Sequence, residues 1–328
     1  MMTKKIPSLF GGAMIIAGGT IGAGMLANPT STAGVWFLGS TLILIYTWFC
    51  MTTSGLMLLE ANLHYPTGAS FDTIVKDLLG KGWNLINGVS VAFVLYILTY
   101  AYITSGGGIT QGFFNQLLSS TENAVDIGRS SGSLIFCIVL AGFVWFSTKA
   151  VDRFSVVLIA GMVISFFLSI TNLVGSVNTE VLLNAVQGEQ QYLPYALVAL
   201  PVCLVSFGFH QNVPSLGLYY YIADLFKFDD SVAGRTKTAL ITFLPPLLLS
   251  LQFPYGFVLA IGYAGLAATI WAVIVPALLA KASRKKFKSS SFTAYGGNFM
   301  IYFVIAFGLL NIFAQLAMQF GFLPEFRG

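Results

Sequence analysis

AGGTIGAGMLANP, residues 17–29, lies within an apolar run that carries no Asp, Glu, Lys, Arg or His between Ile6 and Leu59. The run is long enough to cross a bilayer, which takes about 20 apolar residues. Yet this part of it holds Gly18, Gly19, Gly22 and Gly24 and ends in Pro29, the residues least suited to a continuous helix. Backbone released from helical hydrogen bonding cannot face lipid, so it must be buried in protein or line a cavity. A span broken in this way is how many membrane carriers build a binding site at mid-depth.

The rest of the chain agrees with a membrane setting. Apolar residues make up 56% of the 328, and charged residues only 9%, against about 25% in a soluble domain. The charge-free runs divide into nine expected spans: Leu9–Ala33, Phe37–Asn62, Leu85–Phe113, Leu134–Thr148, Val156–Val174, Pro194–Leu216, Ala239–Gln252, Phe257–Ala280 and Phe299–Phe320. The fourth and seventh are short, and the seventh contains Pro245 and Pro246. The N-terminal apolar run outlasts the core of a signal peptide and lacks a convincing cleavage site, so it reads as a retained first span. With the N-terminus in the cytoplasm, fourteen of the sixteen Lys and Arg fall inside and only Arg129 and Arg327 outside. The C-terminus is then periplasmic. The basic cluster around Arg284 follows from this bias, and the small net charge of +4 gives no reason to expect a nucleic-acid partner. Cys50, Cys137 and Cys203 lack metal or redox spacing and read as buried small hydrophobes. No phosphate loop, metal-ligand cluster or nucleophile–base pair is visible, so neither an enzyme nor a resident cofactor or metal is expected.

Three places can carry chemistry. At GGTIGAGM, an unwound point would expose N–H groups of the following half-helix, which favour a carboxylate, and carbonyls of the preceding one, which favour an ammonium. A zwitterionic amino acid fits such a pair of ends without a charged side chain. Close helix packing through Gly18 and Gly22 is the alternative; Pro29 and the glycine density favour a break. The second place is SFGFHQNVP, residues 206–214, where Gly208 and Pro214 flank Ser206, His210, Gln211 and Asn212 in an otherwise apolar span. Interruptions in the first and sixth spans are the pattern of an inverted-repeat carrier. His210 is the titratable group at membrane depth there. It either couples protons or touches substrate, or it is a neutral imidazole bonded to a neighbouring carbonyl. The third place is Glu60, near the end of the second span: a proton relay, an ion-paired inward gate, or a carboxylate that simply reaches water, with His64 beyond it solvated. Tyr96 and Tyr100 share one face of the third span, suited to a flat ligand or to packing. Trp36, Trp48 and Trp271 read as interface anchors.

GGTIGAGM, SGLMLLEAN (54–62), FDTIVKDLLGKGWN (71–84), AFVLYILTYAYI (92–103), LPVCLVSFGFHQNVPSL (200–216) and GYAGLAATIWAVIVPALLA (262–280) resemble bacterial aromatic amino acid permeases, above all the tryptophan-specific members. The motifs are spread over nearly the whole chain. The resemblance implies one transmembrane permease domain over 1–328, a five-plus-five inverted-repeat fold, and proton-coupled import of an aromatic amino acid across the inner membrane by alternating access. It implies that substrate meets Thr20, Ile21, Gly22, Ala23 and Gly24 on one side. On the other it meets Ser206, Phe207, Gly208, Phe209 and His210, with Tyr96 and Tyr100 nearby.

The family pattern has eleven spans, and the resemblance leaves two unaccounted for. After Leu216 the chain passes to GLYYYIADLFKFDD, which is similar to the inner end of the family's eighth span. An internal deletion near 215–221 is therefore expected, removing the seventh span and most of the eighth. Losing two consecutive crossings keeps parity, so the charge bias survives. The fold is then an incomplete one, and a transport-inactive remnant or interaction protein is the competing reading. A passive channel would need polar or charged rings along a pore, and none is visible.

Overall fold

The computed structural model describes residues 22–66, 69–118, 127–146, 148–183, 192–210, 226–229, 231–287 and 291–324. Every regular element among the described residues is helical: α1 (Ala23–Ser31), a 3-10 turn (Ala33–Val35), α2 (Trp36–Asn62), α3 (Phe71–Leu118), α4 (Arg129–Phe146), α5 (Thr148–Val174), α6 (Thr179–Leu183), α7 (Tyr192–Ser206), α8 (Val232–Gln252), α9 (Phe257–Thr269), a π-helical turn (Ile270–Ile274), α10 (Val275–Lys286) and α11 (Gly297–Gln319). The chain is a multi-pass membrane protein. In lipid only internally bonded backbone is tolerated, and long apolar runs become helices for that reason.

Among the described residues, five stretches are long and apolar enough to cross a bilayer: Ala33–Asn62, Phe71–Leu118, Arg129–Phe146, Phe257–Lys286 and Gly297–Gln319. Ala160–Thr171 and Tyr192–Ser206 are shorter apolar helices, on the expected fifth and sixth spans. The expected seventh falls on α8, a helix that includes Arg235, Lys237 and two prolines. Most of the expected first span, and the join near 215–221, lie outside the described residues. Helix α3 begins earlier than the expected third span. Gly80, at φ 87°, breaks it after its first turns, so that 71–79 is a separate segment ahead of the crossing.

The core lies where α2, α3, α7, the α9–α10 pair and α11 meet, around Met51, Met57, Leu58, Leu200, Leu204, Val273 and Phe307. Helices α4 and α5 present Ile138, Phe146, Ile164 and Phe167 outward. The three cysteines are buried and free.

Prolines inside spans leave carbonyls without donors, and neighbouring helices supply them. Pro245 has no N–H for the carbonyl of Ile241, and the Tyr96 hydroxyl donates to that carbonyl at 2.9 Å. Pro276 likewise strands the carbonyl of Ala272, in the π turn, and the Ser54 hydroxyl donates to it at 2.5 Å. Each bond ties two helices. Tyr96→Phe and Ser54→Ala are each expected to cost about 1–3 kcal/mol, the cost of an orphaned buried acceptor. An unchanged thermal midpoint in detergent would contradict this.

Candidate functional site

Helix α1 starts abruptly. Gly22 has extended backbone (φ −177°, ψ −145°), and the helix turns only from Ala23, with no side chain capping it. The N–H groups of its first turn therefore have no partner within the helix. The helix start falls inside the stretch where the sequence places a break; the part of the span before Gly22 lies outside the described residues. Thr20 and Ile21 lie outside the described residues.

At the second place, the described residues end at His210, and Gln211 to Pro214 lie outside them. Helix α7 ends at Ser206, and the backbone tightens through Phe207 N–H to Leu204 (3.2 Å) and Gly208 N–H to Val205 (3.2 Å). Phe209 N–H reaches only Phe207, at 3.0 Å, and His210 enters a 3-10 turn.

The start of α1 and the end of α7 meet. A Cβ at Gly24 would lie 2.5 Å from the backbone nitrogen of Ser206, so only glycine permits this approach. A Cβ at Gly22 would lie 2.6 Å from the Tyr102 hydroxyl. The Ser206 hydroxyl donates to Asn28 Oδ1 at 2.9 Å and to the Val202 carbonyl at 3.3 Å, linking α7 to α1.

His210 is wholly buried. Its ring stacks on Phe209, 4.8 Å between centroids, and meets Trp271 edge-on at 6.3 Å. Gly55 of α2 makes room for both: a Cβ there would lie 2.5 Å from Phe209 and 3.6 Å from His210 Nε2. Neither ring nitrogen has a hydrogen-bond partner among the described residues. The expected bond from a neutral imidazole to a neighbouring carbonyl is thus absent among them. Trp271, expected as an interface anchor, is instead 5% exposed beside His210, and its Nε1 is also without a partner among the described residues. Trp271 is the second residue of the π turn.

Tyr100 is buried and donates to the Phe253 carbonyl at 2.7 Å, as Tyr96 does to Ile241. Both hydroxyls thus fasten α3 to α8 and the turn after it.

Glu60 lies at the other end of α2. It does not reach water: its side chain is 0% exposed, and Arg284 grips it with two bonds, Nε to Oε1 at 2.7 Å and Nη2 to Oε2 at 2.8 Å. The Ala294 N–H adds a third at 2.8 Å, while Arg284 also donates to the Ala294 carbonyl at 3.1 Å. The ends of α2 and α10 and the loop before α11 are thereby locked together, and Arg284 is drawn inward rather than presented to lipid headgroups. Around this lock, Lys286 meets Asp77 at 2.7 Å, Tyr65 donates to the same carboxylate at 2.5 Å, and His64 stacks on Phe287 at 4.3 Å. His64, expected in solvent, is half-buried because of that stack.

Comparison with known proteins places the chain in a family. The sequence model of a family described as the tryptophan/tyrosine permease family matches residues 5–221 and 215–315. A tryptophan-specific transport protein of Haemophilus influenzae (strain ATCC 51907 / DSM 11121 / KW20 / Rd) is 60% identical, with all of both chains covered. One from Shigella flexneri is 41% identical over 99% of both, and a tyrosine permease of Enterobacter agglomerans is 34% identical over 99% of this chain and all of its own. The Haemophilus alignment runs over 418 positions against 328 residues here, so at least 90 positions face no residue of this chain. No solved structure matches.

Proposed function

The chain belongs to the tryptophan/tyrosine permease family, and from that premise we propose that the activity built into it is the import of aromatic amino acids, tryptophan first, across the bacterial inner membrane. The observation that carries this reading beyond membership is the contact of Gly24 with Ser206, which joins the start of α1 to the end of α7. The first-turn N–H groups of α1 receive the substrate carboxylate, and carbonyls freed at the breaks receive its ammonium. Thr20, Ile21, Gly22, Ala23 and Gly24 form one side of this site and Ser206, Phe207, Gly208, Phe209 and His210 the other. Tyr96 and Tyr100 offer ring faces, because their hydroxyls are committed to α8 and its following turn.

His210, buried with both nitrogens unpartnered among the described residues, is the group we assign to proton coupling; transport then proceeds as proton symport by alternating access in an inverted-repeat fold. The Glu60–Arg284 lock serves as the inner gate, with the basic end and the N-terminus in the cytoplasm and the C-terminus in the periplasm. The permease domain spans 1–328.

A second reading is favoured by the alignment length and by the two family matches that overlap at 215–221. Two spans are deleted at that join, and the 328-residue form keeps the recognition elements while concentrating little substrate.

Recognition is tested by equilibrium binding of labelled tryptophan to the purified chain in lipid nanodiscs. Saturable binding that tryptophan competes and alanine does not is expected. Gly24→Leu, which forces α1 off Ser206, is expected to weaken it at least about tenfold, the equivalent of about 1.4 kcal/mol. Binding untouched by Gly24→Leu would remove the paired breaks from the site. If His210 carries the proton, His210→Gln in a transporting form of the chain flattens the pH dependence of uptake. A retained pH profile would take the proton elsewhere.

A further inference from the structure

Arg129 is the first residue of α4, and its side chain reaches back onto α3. Its Nη2 donates to the Thr104 carbonyl at 3.5 Å, and its Cζ lies 4.8 Å from the centre of the Tyr255 ring, in the turn between α8 and α9. The start of α4 is fixed in this place. The Asn115 carboxamide brackets Ile127, accepting from its N–H at 2.8 Å and donating to its carbonyl at 3.4 Å. Gly107 and Gly108 let α4 lie close: a Cβ at Gly107 would meet the Ser133 hydroxyl, and one at Gly108 would lie 3.2 Å from the Arg129 guanidinium.

The guanidinium has no counter-charge. No carboxylate lies within ion-pair reach of Arg129 among the described residues, and its Nε is enclosed without a hydrogen-bond partner. A cation at the first residue of a helix also sits at the positive end of the helix dipole, an unfavourable place. Both the guanidinium and the helix end therefore favour an anion.

Depth selects the anion. Gly80 lies between Asp77 and Lys81, at the end of the bundle that holds the Glu60–Arg284 lock. From Gly80 to Gly108, α3 rises about 40 Å at 1.5 Å per residue, whereas the hydrocarbon core of a bilayer is about 30 Å thick. The guanidinium thus lies beyond the hydrocarbon, at the level of the headgroups on the side opposite the lock. Tyr255 is 77% exposed there and Phe253, in the same turn, 60%, as suits aromatic residues at a membrane interface.

We propose that Arg129 and Tyr255 form a binding site for the phosphate of an anionic phospholipid, of the phosphatidylglycerol class, in the leaflet opposite the Glu60–Arg284 lock. The planar guanidinium presents N–H donors to phosphate oxygens, and the first-turn N–H groups of α4 favour the same charge. The Tyr255 ring steadies the guanidinium from its face. A phospholipid with a headgroup ammonium fits less well, because no described residue beside Arg129 offers that ammonium a carboxylate. The site uses none of the residues assigned to amino acid recognition, so it stands whether or not the chain transports.

Native mass spectrometry of the purified full chain, released from detergent with phosphatidylglycerol or phosphatidylcholine at graded concentrations, counts the lipids retained. One tightly held phosphatidylglycerol is expected, bound at least about tenfold better than phosphatidylcholine. Arg129→Gln is expected to weaken it at least about tenfold, the scale of a charge-assisted hydrogen bond. Tyr255→Leu, at an exposed position, is expected to weaken it about threefold. Lys281→Gln removes a cation from the end of α10 and leaves this lipid in place. Equal retention by wild type, Arg129→Gln and Tyr255→Leu would overturn the proposal, as would equal affinity for the two lipids. An equal loss in Lys281→Gln would mark attraction by net charge alone, and displacement by inorganic phosphate would make the ligand a free anion; either result also overturns it.

Discussion

Arg284→Met is expected to destabilise the chain by about 3–5 kcal/mol, the usual cost of breaking a buried ion pair from one side. Glu60 is 0% exposed, so removing the guanidinium strands a carboxylate in the interior with only the Ala294 N–H left to it. The reverse change costs less. Glu60→Gln keeps an acceptor for Ala294, and Arg284, with a side chain 21% exposed, can turn toward water. About 1–3 kcal/mol is expected there. The double variant, Glu60→Gln with Arg284→Met, should recover part of the Arg284→Met loss, because no unpaired carboxylate remains. Thermal midpoints in one detergent, read as a double-mutant cycle, give the coupling directly. Lys286→Ala is the contrast. Lys286 and Asp77 are each 45% exposed, and an exposed pair contributes about 0–1 kcal/mol. Equal losses for Arg284→Met and Lys286→Ala would show that burial does not set the strength of the lock.

Much of this was legible from the chain. The glycines and Pro29 of 17–29 and the Gly208–Pro214 interval mark two interruptions, and within the described residues a helix starts at Ala23 and another ends at Ser206, because starting or stopping a helix is a local backbone property. That Gly24 meets Ser206 was not legible, since contact between distant segments is fixed by packing. The π turn was missed as well. Pro276 was a usable signal, because it strands the carbonyl of Ala272, but which side chain answers that carbonyl depends on where α2 lies. Trp271 lies in the middle of Phe257–Lys286, away from either interface, and it packs beside His210. Glu60 was left open among three roles, and Arg284, in a run of basic residues explained by topology, gave no sign of being its partner. The tyrosines of α3 suggested a ligand face, whereas their hydroxyls answer backbone that the Pro245–Pro246 pair and the turn after α8 leave exposed.

The central claim is that tryptophan import is built into this chain and that the deletion near 215–221 limits it. The Haemophilus relative, whose alignment leaves at least 90 positions facing no residue here, supplies the test piece: on the proposed reading, the part of it that falls at the join carries the two missing spans, and it is inserted there. Labelled tryptophan uptake is then compared in cells that lack other tryptophan carriers and express either the 328-residue chain or the lengthened one at matched membrane levels. The lengthened chain is expected to accumulate tryptophan at least about tenfold more, an effect of about 1.4 kcal/mol or greater, with the accumulation abolished by a protonophore. Equal, proton-dependent accumulation by both chains would contradict the claim that the deletion limits transport, and no accumulation by either would contradict the transport reading itself.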